Sequence, residues 1–458
     1  MDEKLLGQID RLIEGDRSEL AKDVIQLVNI KSVRGTPAPG APFGNGPKRV
    51  LDTALMMGAK RGFIPFDYGM GVGSIAMSEG KIDLGIWTHG DVVPEGDGWL
   101  FEPYSATEYK GCVIGRGATD NKGQLVSILH LFDILKKLGI KMKYTPALFV
   151  GSCEETGMDD VQAFLKMCNA PRISLVPDGA FPVGYGGKGC AIVKLRANQP
   201  LESVVIEAGH PDSPGRAIAM LSAKECPELE TCTVEHSDPI KVIAQTPLRH
   251  SSSPNPKGNM ITLLTTALID NHLVSENDAA KLDFLRRISL DTHGKMMGIY
   301  TNPVSMGELV LASIDITDFH GRPEIGIKIR YPIETAFSTI LERIDKVAQM
   351  QDFEISYAEN VYNPYLVDKN WNVIHALTTT ANKVIGVQAV PYTLNGGTYA
   401  HFLPNALVFG MSANLPPENF PVGHGGAHGV DECVSLARLQ RAMRIYARVM
   451  LMLNETDW

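Results

Sequence analysis

The sequence predicts an α/β protein in which a mostly parallel sheet is flanked by helices and an α+β domain is inserted. Three observations point there. Short apolar runs at 82–88, 145–150 and 173–176 alternate with a helical stretch over 122–138, the alternation of a parallel sheet covered by helices. Near residue 190 the pattern changes to alternating strands interleaved with helices, as in an α+β arrangement. After Pro364 the first pattern returns. Residues 1–189 and 365–458 are therefore expected to form one split domain, with 190–364 inserted.

Leu5, Ile9, Leu12 and Ile13, then Leu20, Val24, Leu27 and Val28, follow helical spacing and predict two short amphipathic helices between 4 and 30. Residues 35–47, GTPAPGAPFGNGP, are too rich in glycine and proline for regular structure, so an irregular loop leads into a helix over 48–60. In the insertion, strands are expected at 191–196, 203–206, 241–246, 308–316 and 324–330, with helices at 257–270, 276–289 and 334–349. A helix at 370–385, a strand at 406–410 and a long helix at 434–453 complete the chain.

The 458 residues carry 43 Lys and Arg against 52 Asp and Glu, a formal charge of −9. That balance argues against binding a phosphate backbone, and no nucleic-acid partner is expected. Hydrophobic residues at 44% and charged residues at 21% are globular values. No window approaches the ~20 apolar residues of a bilayer span, so no membrane partner is expected. The first 22 residues lack the apolar core of a secretory signal. Seven scattered cysteines (112, 153, 168, 190, 226, 232 and 433) without a CxxC pair fit reduced thiols and a cytoplasmic location.

Carboxylates and histidines recur at the ends of the apolar runs. In THGDVVP, His89 ends a strand and Asp91 follows by two residues, which places both side chains on one side. GRGATDNKG puts Asp120 in a glycine-rich turn before a helix. GSCEETG puts Glu154 and Glu155 just after a strand, and LVPDG puts Asp178 just after another. Alone, each has an ordinary role in a cap or turn. Together they are costly at buried strand ends unless a cation neutralises them or one is protonated. GHGGAHGVDE adds His424, His428 and Glu432 ahead of the last helix. Imidazole with carboxylate suits zinc, with manganese or cobalt as substitutes, better than calcium.

The ordered set THGDVVP, GRGATDNKG, EETG, PDG and AHGVDE resembles the co-catalytic zinc family of peptidase V, carnosinase, carboxypeptidase G, aminoacylase, acetylornithine deacetylase and succinyl-diaminopimelate desuccinylase. The similarity extends over nearly the full chain. It implies a zinc-exopeptidase-like catalytic domain with an inserted lid, and two divalent ions per chain. His89, Asp120 and Asp178 are implied to hold one ion, and Asp120, Glu155 and His428 the other. Asp91 would orient His89, and Glu154 would be the general base. TPLRHSSSPNPKGNM is similar to the family's lid motif, which implies His250 as a donor to the oxyanion.

Within the family, LVPDGAFPVGYGGKG, NGGTYAHFLPN and KIRYPIE are most similar to the peptidase V type dipeptidases. That likeness implies Arg330 as the partner of a peptide's terminal carboxylate, a task suited to its planar fork. Gly396, Gly397 and Thr398 would supply further donors. The implied substrate is a short peptide with a free carboxyl terminus, and the alternative is an N-acyl amino-acid deacylase or desuccinylase using the same site. A noncatalytic metal-binding scaffold is the reading from another class. An insertion of about 175 residues resembles the doubled lid that stands in for a dimer partner, so a monomer is expected, with a homodimer left open.

Gly187 and His401 stand where the dipeptidase pattern has Glu and Arg, and 208–220 lacks the family's lid asparagine, so substrate choice is expected to differ; His210 reads as a loop residue. YGMGVGS is followed by a strand-like SIAM, not the helix a dinucleotide loop requires. Cys153 has no paired base and reads as a packed thiol, and His130 and His375 as structural or exposed.

Overall fold

The computed structural model describes residues 2–208, 216–223, 225–246, 256–411, 415–456 and 458. The chain divides into two compact units. The first comprises Met1–Gly186, Val367–Tyr392 and Thr398–Trp458, and the second Gly187–Leu366 and Thr393–Gly397.

The first unit is built on a mixed sheet. Its strands run in the order Ile64–Asp67, Gly73–Ala76, Thr145–Gly151, Ile82–His89, Ile173–Val176, Ala406–Val408 and Gly184–Gly187. The four central strands pair in parallel, and these are the apolar runs of the sequence. The flanking pairs are antiparallel. Thr145–Gly151 is buried along its whole length, as a strand covered on both faces must be.

Six helices supply that cover: Glu3–Gly15, Arg17–Val28, Asn45–Lys60, Gly123–Lys137, Asn372–Ile385 and Leu436–Glu455 all bury residues in one core with the sheet. Gly123–Lys137 is buried on nearly every side, which explains why it reads as apolar all round and not as a stripe. The short helix Asp159–Met167 escapes sequence patterning because only Asp160, Val161 and Phe164 of it are buried.

The second unit contains two antiparallel sheets. One runs Val310–Phe319, Arg322–Tyr331, Gly189–Ala197, Phe353–Tyr362, and the other Val204–Ala208, Arg216–Leu221, Ile240–Gln245, Thr233–Glu235. Ala191, Val193 and Leu195 alternate into the core beside Ile325, Ile327 and Ile329, the period of two that a one-sided sheet imposes. Helices Met260–Asp270, Glu276–Leu290 and Phe337–Met350 bury their apolar residues in the same core. Phe353–Tyr362 is largely exposed between its buried ends and so carries no apolar run to predict it. No helix among the described residues is long and apolar enough to cross a membrane.

Candidate metal centre

Parallel pairing puts the carboxyl ends of neighbouring strands on one edge of a sheet, where α/β proteins form their sites. Ile82–His89 ends at His89, Thr145–Gly151 leads into Glu154 and Glu155, and Ile173–Val176 leads into Asp178. Asp120 reaches this edge from the turn before Gly123–Lys137, and His428 from the loop before the strand Cys433–Ser435.

These side chains converge. The two oxygens of Asp120 face two imidazoles, with Oδ1 3.0 Å from His89 Nε2 and Oδ2 3.1 Å from His428 Nε2. His428 Nε2 is also 3.0 Å from Glu155 Oε1. Candidate ligand atoms of His89, Glu154 and Asp178 lie within 4.8 Å of one another, as do those of His89, Asp120 and Glu155. Glu154, expected as a base, thus reaches the same space as His89 and Asp178. Its Oε1 is buried and accepts no hydrogen bond among the described residues.

Further carboxylates hold these groups in place. Asp91, 1% exposed, accepts from the backbone N–H of Glu154 and of Glu155, each at 3.1 Å, and its Oδ1 lies 3.5 Å from His89 Nδ1. It therefore ties the His89 strand to the loop of adjacent glutamates. Glu432 is fully buried. Its Oε1 accepts from Thr119 and Asp120 N–H at 2.9 and 3.0 Å, and its Oε2 from Gly117 N–H and Arg116 at 3.0 and 2.7 Å. Asp160 Oδ2 accepts from Ser152 and Cys153 N–H and from the Tyr399 hydroxyl at 2.7, 3.0 and 2.6 Å. Asn121 donates to Pro177 O and Asp178 Oδ1.

Two glycines are fixed by close approach. Gly117 has φ 84°, and a Cβ there would lie 2.5 Å from Val92. A Cβ on Gly151 would overlap the Tyr399 hydroxyl and lie 2.6 Å from Asp160 Oδ2.

The charge balance follows. Burial would raise the Asp120 carboxyl, but hydrogen bonds from His428 and His89 outweigh it and hold Asp120 below the usual carboxylate range. Burial, reinforced by the Asp120 charge, pushes Glu155 up to about 7 and Asp178 up to about 6. Burial and the neighbouring acids Asp178, Glu155 and Asp120 push Glu154 well above its usual value, against the pull of His89. Four mutually repelling carboxylates with two imidazoles form a donor set that a divalent cation fits, because it supplies the positive charge they require.

His250 and His210 fall outside the described residues. Arg330, Gly396 and Gly397 belong to the second unit, and Thr398 to the first. Arg330 is buried and donates to the Tyr362 hydroxyl, and a Cβ on Gly397 would overlap that same hydroxyl. Thr398 caps the short turn Tyr399–His401 with its side chain. His424 Nδ1 lies 2.5 Å from Oδ2 of buried Asp431, whose Oδ1 accepts from Leu100 and Phe101 N–H. Cys153 is buried and free of any disulfide, and burial raises its thiol to about 11, as a packed thiol requires. His130 is structural, held between Asp16 and Asp23. Tyr362, Asp160 and Asp431 are the partners sequence reasoning missed. Asp431 lay inside the AHGVDE motif, its only signal, and Tyr399, the hydroxyl partner of Asp160, inside GGTYA, whereas Tyr362 and Asp160 lay in no motif.

A strand-end cluster of histidines and carboxylates on a mixed α/β sheet is a donor set of the kind that holds divalent cations. The family model described as Peptidase family M20/M25/M40 matches residues 85–452, well over half of the chain, and the chain belongs to that family of metal-dependent peptide-bond hydrolases. "Putative dipeptidase YtjP" of Bacillus subtilis (strain 168) is 28% identical over 94% of this chain and 96% of its own length. "Putative dipeptidase SH1171" of Staphylococcus haemolyticus is 25% identical over 93% of this chain and 95% of its own. Two solved structures share the fold: human carnosine dipeptidase 1 at TM-score 0.58, 15% identity and 98% and 100% coverage, and the dipeptidase Dug1p of Saccharomyces cerevisiae at TM-score 0.61, 14% identity and 99% of each chain.

Proposed function

We propose that this chain is a dinuclear metallo-dipeptidase that hydrolyses dipeptides and other short peptides with a free C-terminal carboxylate. The observation that carries it is Asp120, whose two oxygens face His89 and His428 separately, the disposition of a carboxylate shared by two cations. His89, Asp120 and Asp178 would hold one ion, and Asp120, Glu155 and His428 the second. Zinc is the expected metal, with manganese or cobalt as substitutes. Two cations held there would acidify a water and polarise the scissile carbonyl.

Glu154 is the general base of this reading. It takes the proton of the attacking water and returns it to the leaving nitrogen. An Oε1 that accepts no hydrogen bond among the described residues suits that task, since none of their donors competes for it. Asp91 fixes the backbone of Glu154 and Glu155 and the direction of His89. Arg330, with Tyr362 beside it, would pair with the substrate carboxylate, and Gly396, Gly397 and Thr398 would add donors. His250 would donate to the oxyanion. Residues 1–189 and 365–458 then act as the catalytic domain and 190–364 as a lid, in a cytoplasmic enzyme whose enlarged lid suits a monomer, with a homodimer as the alternative.

The relatives named as dipeptidases support this substrate class over acylated amino acids. The test is Glu154→Gln in the metal-loaded protein against a panel of dipeptides, N-acetyl and N-succinyl amino acids. Dipeptide hydrolysis should fall by about 10²–10⁴-fold with both metals retained. Undiminished hydrolysis rejects Glu154 as the base, and wild-type preference for the acylated amino acids selects the deacylase instead.

A further inference from the structure

Between the helix Arg17–Val28 and the glycine-rich loop lies a short segment, Ile30 to Arg34, that touches three of the loops carrying the candidate ligands. Alternate residues make the contacts. The Ile30 carbonyl accepts from the buried Lys122 ammonium at 2.9 Å, two residues from Asp120. Ser32 is fully buried, and its hydroxyl donates to the carbonyl of Gly90, between His89 and Asp91, at 2.7 Å. Its own carbonyl accepts from Val92 N–H at 3.2 Å, so Ser32 grips the chain on both sides of Asp91. The Arg34 guanidinium donates to the carbonyl of Thr156 at 2.9 Å and to its hydroxyl at 3.2 Å, one residue past Glu155. It also lies 3.5 Å from Asp159 and stacks over Phe43.

The intervening Lys31 reaches away to Glu95 at 2.5 Å. The segment is itself clamped. A Cβ on Gly46 would overlap the Lys31 carbonyl, and Gly35 N–H donates to Phe43 O at 3.0 Å.

We infer that Ile30 to Arg34 is a positioning strap that sets the spacing of the His89–Asp91, Asp120 and Glu154–Glu155 loops, with Ser32 and Arg34 as its two side-chain contacts. The inference rests on reading this cluster as a metal centre. Strand pairing and Asp91 already join the His89–Asp91 and Glu154–Glu155 loops, but those contacts do not set the distance from the pair to the Asp120 turn. A segment bonded to all three fixes it, and ligand groups held at the correct spacing bind a cation without first losing conformational freedom.

The experiment compares the full-length wild type with Ser32→Ala, Arg34→Gln and Arg34→Lys. Zn2+ dissociation constants are measured by competition with a chromogenic chelator, beside the Tm of each metal-free protein. Ser32→Ala and Arg34→Gln should weaken zinc binding by about tenfold or more, and Arg34→Lys, which keeps a cationic donor, should recover most of the loss. A segment that is only structural would lower the metal-free Tm and leave zinc affinity within about twofold of wild type, and that result overturns the strap. If Ser32→Ala does not fold, the Arg34 pair decides, because that side chain is 38% exposed. A wild type that binds no zinc rejects the metal centre and the strap together. Variants equal to a zinc-binding wild type reject the strap alone.

Discussion

Replacing Glu432 by glutamine exposes how the Asp120 turn is held. The carboxylate accepts four hydrogen bonds from Gly117, Thr119 and Asp120 N–H and from Arg116, and both Glu432 and Arg116 are about 1% exposed or less. Glutamine keeps one acceptor oxygen but turns an amide N–H2 towards donors on the other side. Arg116 is then left with backbone carbonyls at 3.3 Å and no ion-pair partner among the described residues. Removing one member of a buried ion pair costs about 3–5 kcal/mol.

All four tryptophans, Trp87, Trp99, Trp371 and Trp458, lie in the first unit, so their fluorescence follows its unfolding without contribution from the second. Urea titration of Glu432→Gln read by tryptophan fluorescence should show a loss of about 3–5 kcal/mol, accompanied by weaker metal binding. A loss under about 1 kcal/mol with unchanged metal affinity would refute the role of Glu432 in holding Asp120.

Three further outcomes follow from neighbouring contacts. Asp91→Asn puts a donor against the N–H of Glu154 or Glu155, and metal affinity measured by chelator competition should fall about 10–100-fold. Gly151→Ala forces a methyl into the Tyr399 hydroxyl and Asp160, so soluble, folded protein should be lost, whereas Tyr399→Phe, which removes only one donor to Asp160, should cost about 1–3 kcal/mol in the same fluorescence assay. His130 supplies the pH dependence. Burial disfavours its charge, but hydrogen bonds to Asp16 and Asp23 outweigh that and raise its pKa above 6.5, with Arg61 facing it as the opposing cation. A raised folded pKa gives stability that is complete below about pH 6.5 and is lost as pH rises through the folded value. The stability advantage of wild type over His130→Gln should therefore shrink above that pH, and a constant difference would contradict it.

The strands that carry the cluster were legible because they are buried on both faces and so appear as unbroken apolar runs. The ligand candidates were legible because each follows such a run. Phe353–Tyr362 and Asp159–Met167 were not, since their exposed residues interrupt any apolar period. The outermost strand of the first sheet was also hidden, because Ile64–Asp67 is wholly exposed. At the site, Glu432 acts on backbone N–H groups more than 300 residues away and Asp160 on two across a turn, and no sequence spacing encodes which N–H a carboxylate will meet. The Ile30 to Arg34 segment escaped for the same reason: four of its contacts use backbone carbonyls, which carry no residue signature.

The shared role of Asp120 is tested most directly by metal stoichiometry in full-length wild type and Asp120→Ala, counted by elemental analysis after equilibration with zinc and removal of free ion. The expected result is about two zinc ions per wild-type chain and loss of both in the variant, since one carboxylate serves both positions. A wild type that holds one ion, or an Asp120→Ala variant that keeps a tightly bound one, would contradict a bridged pair.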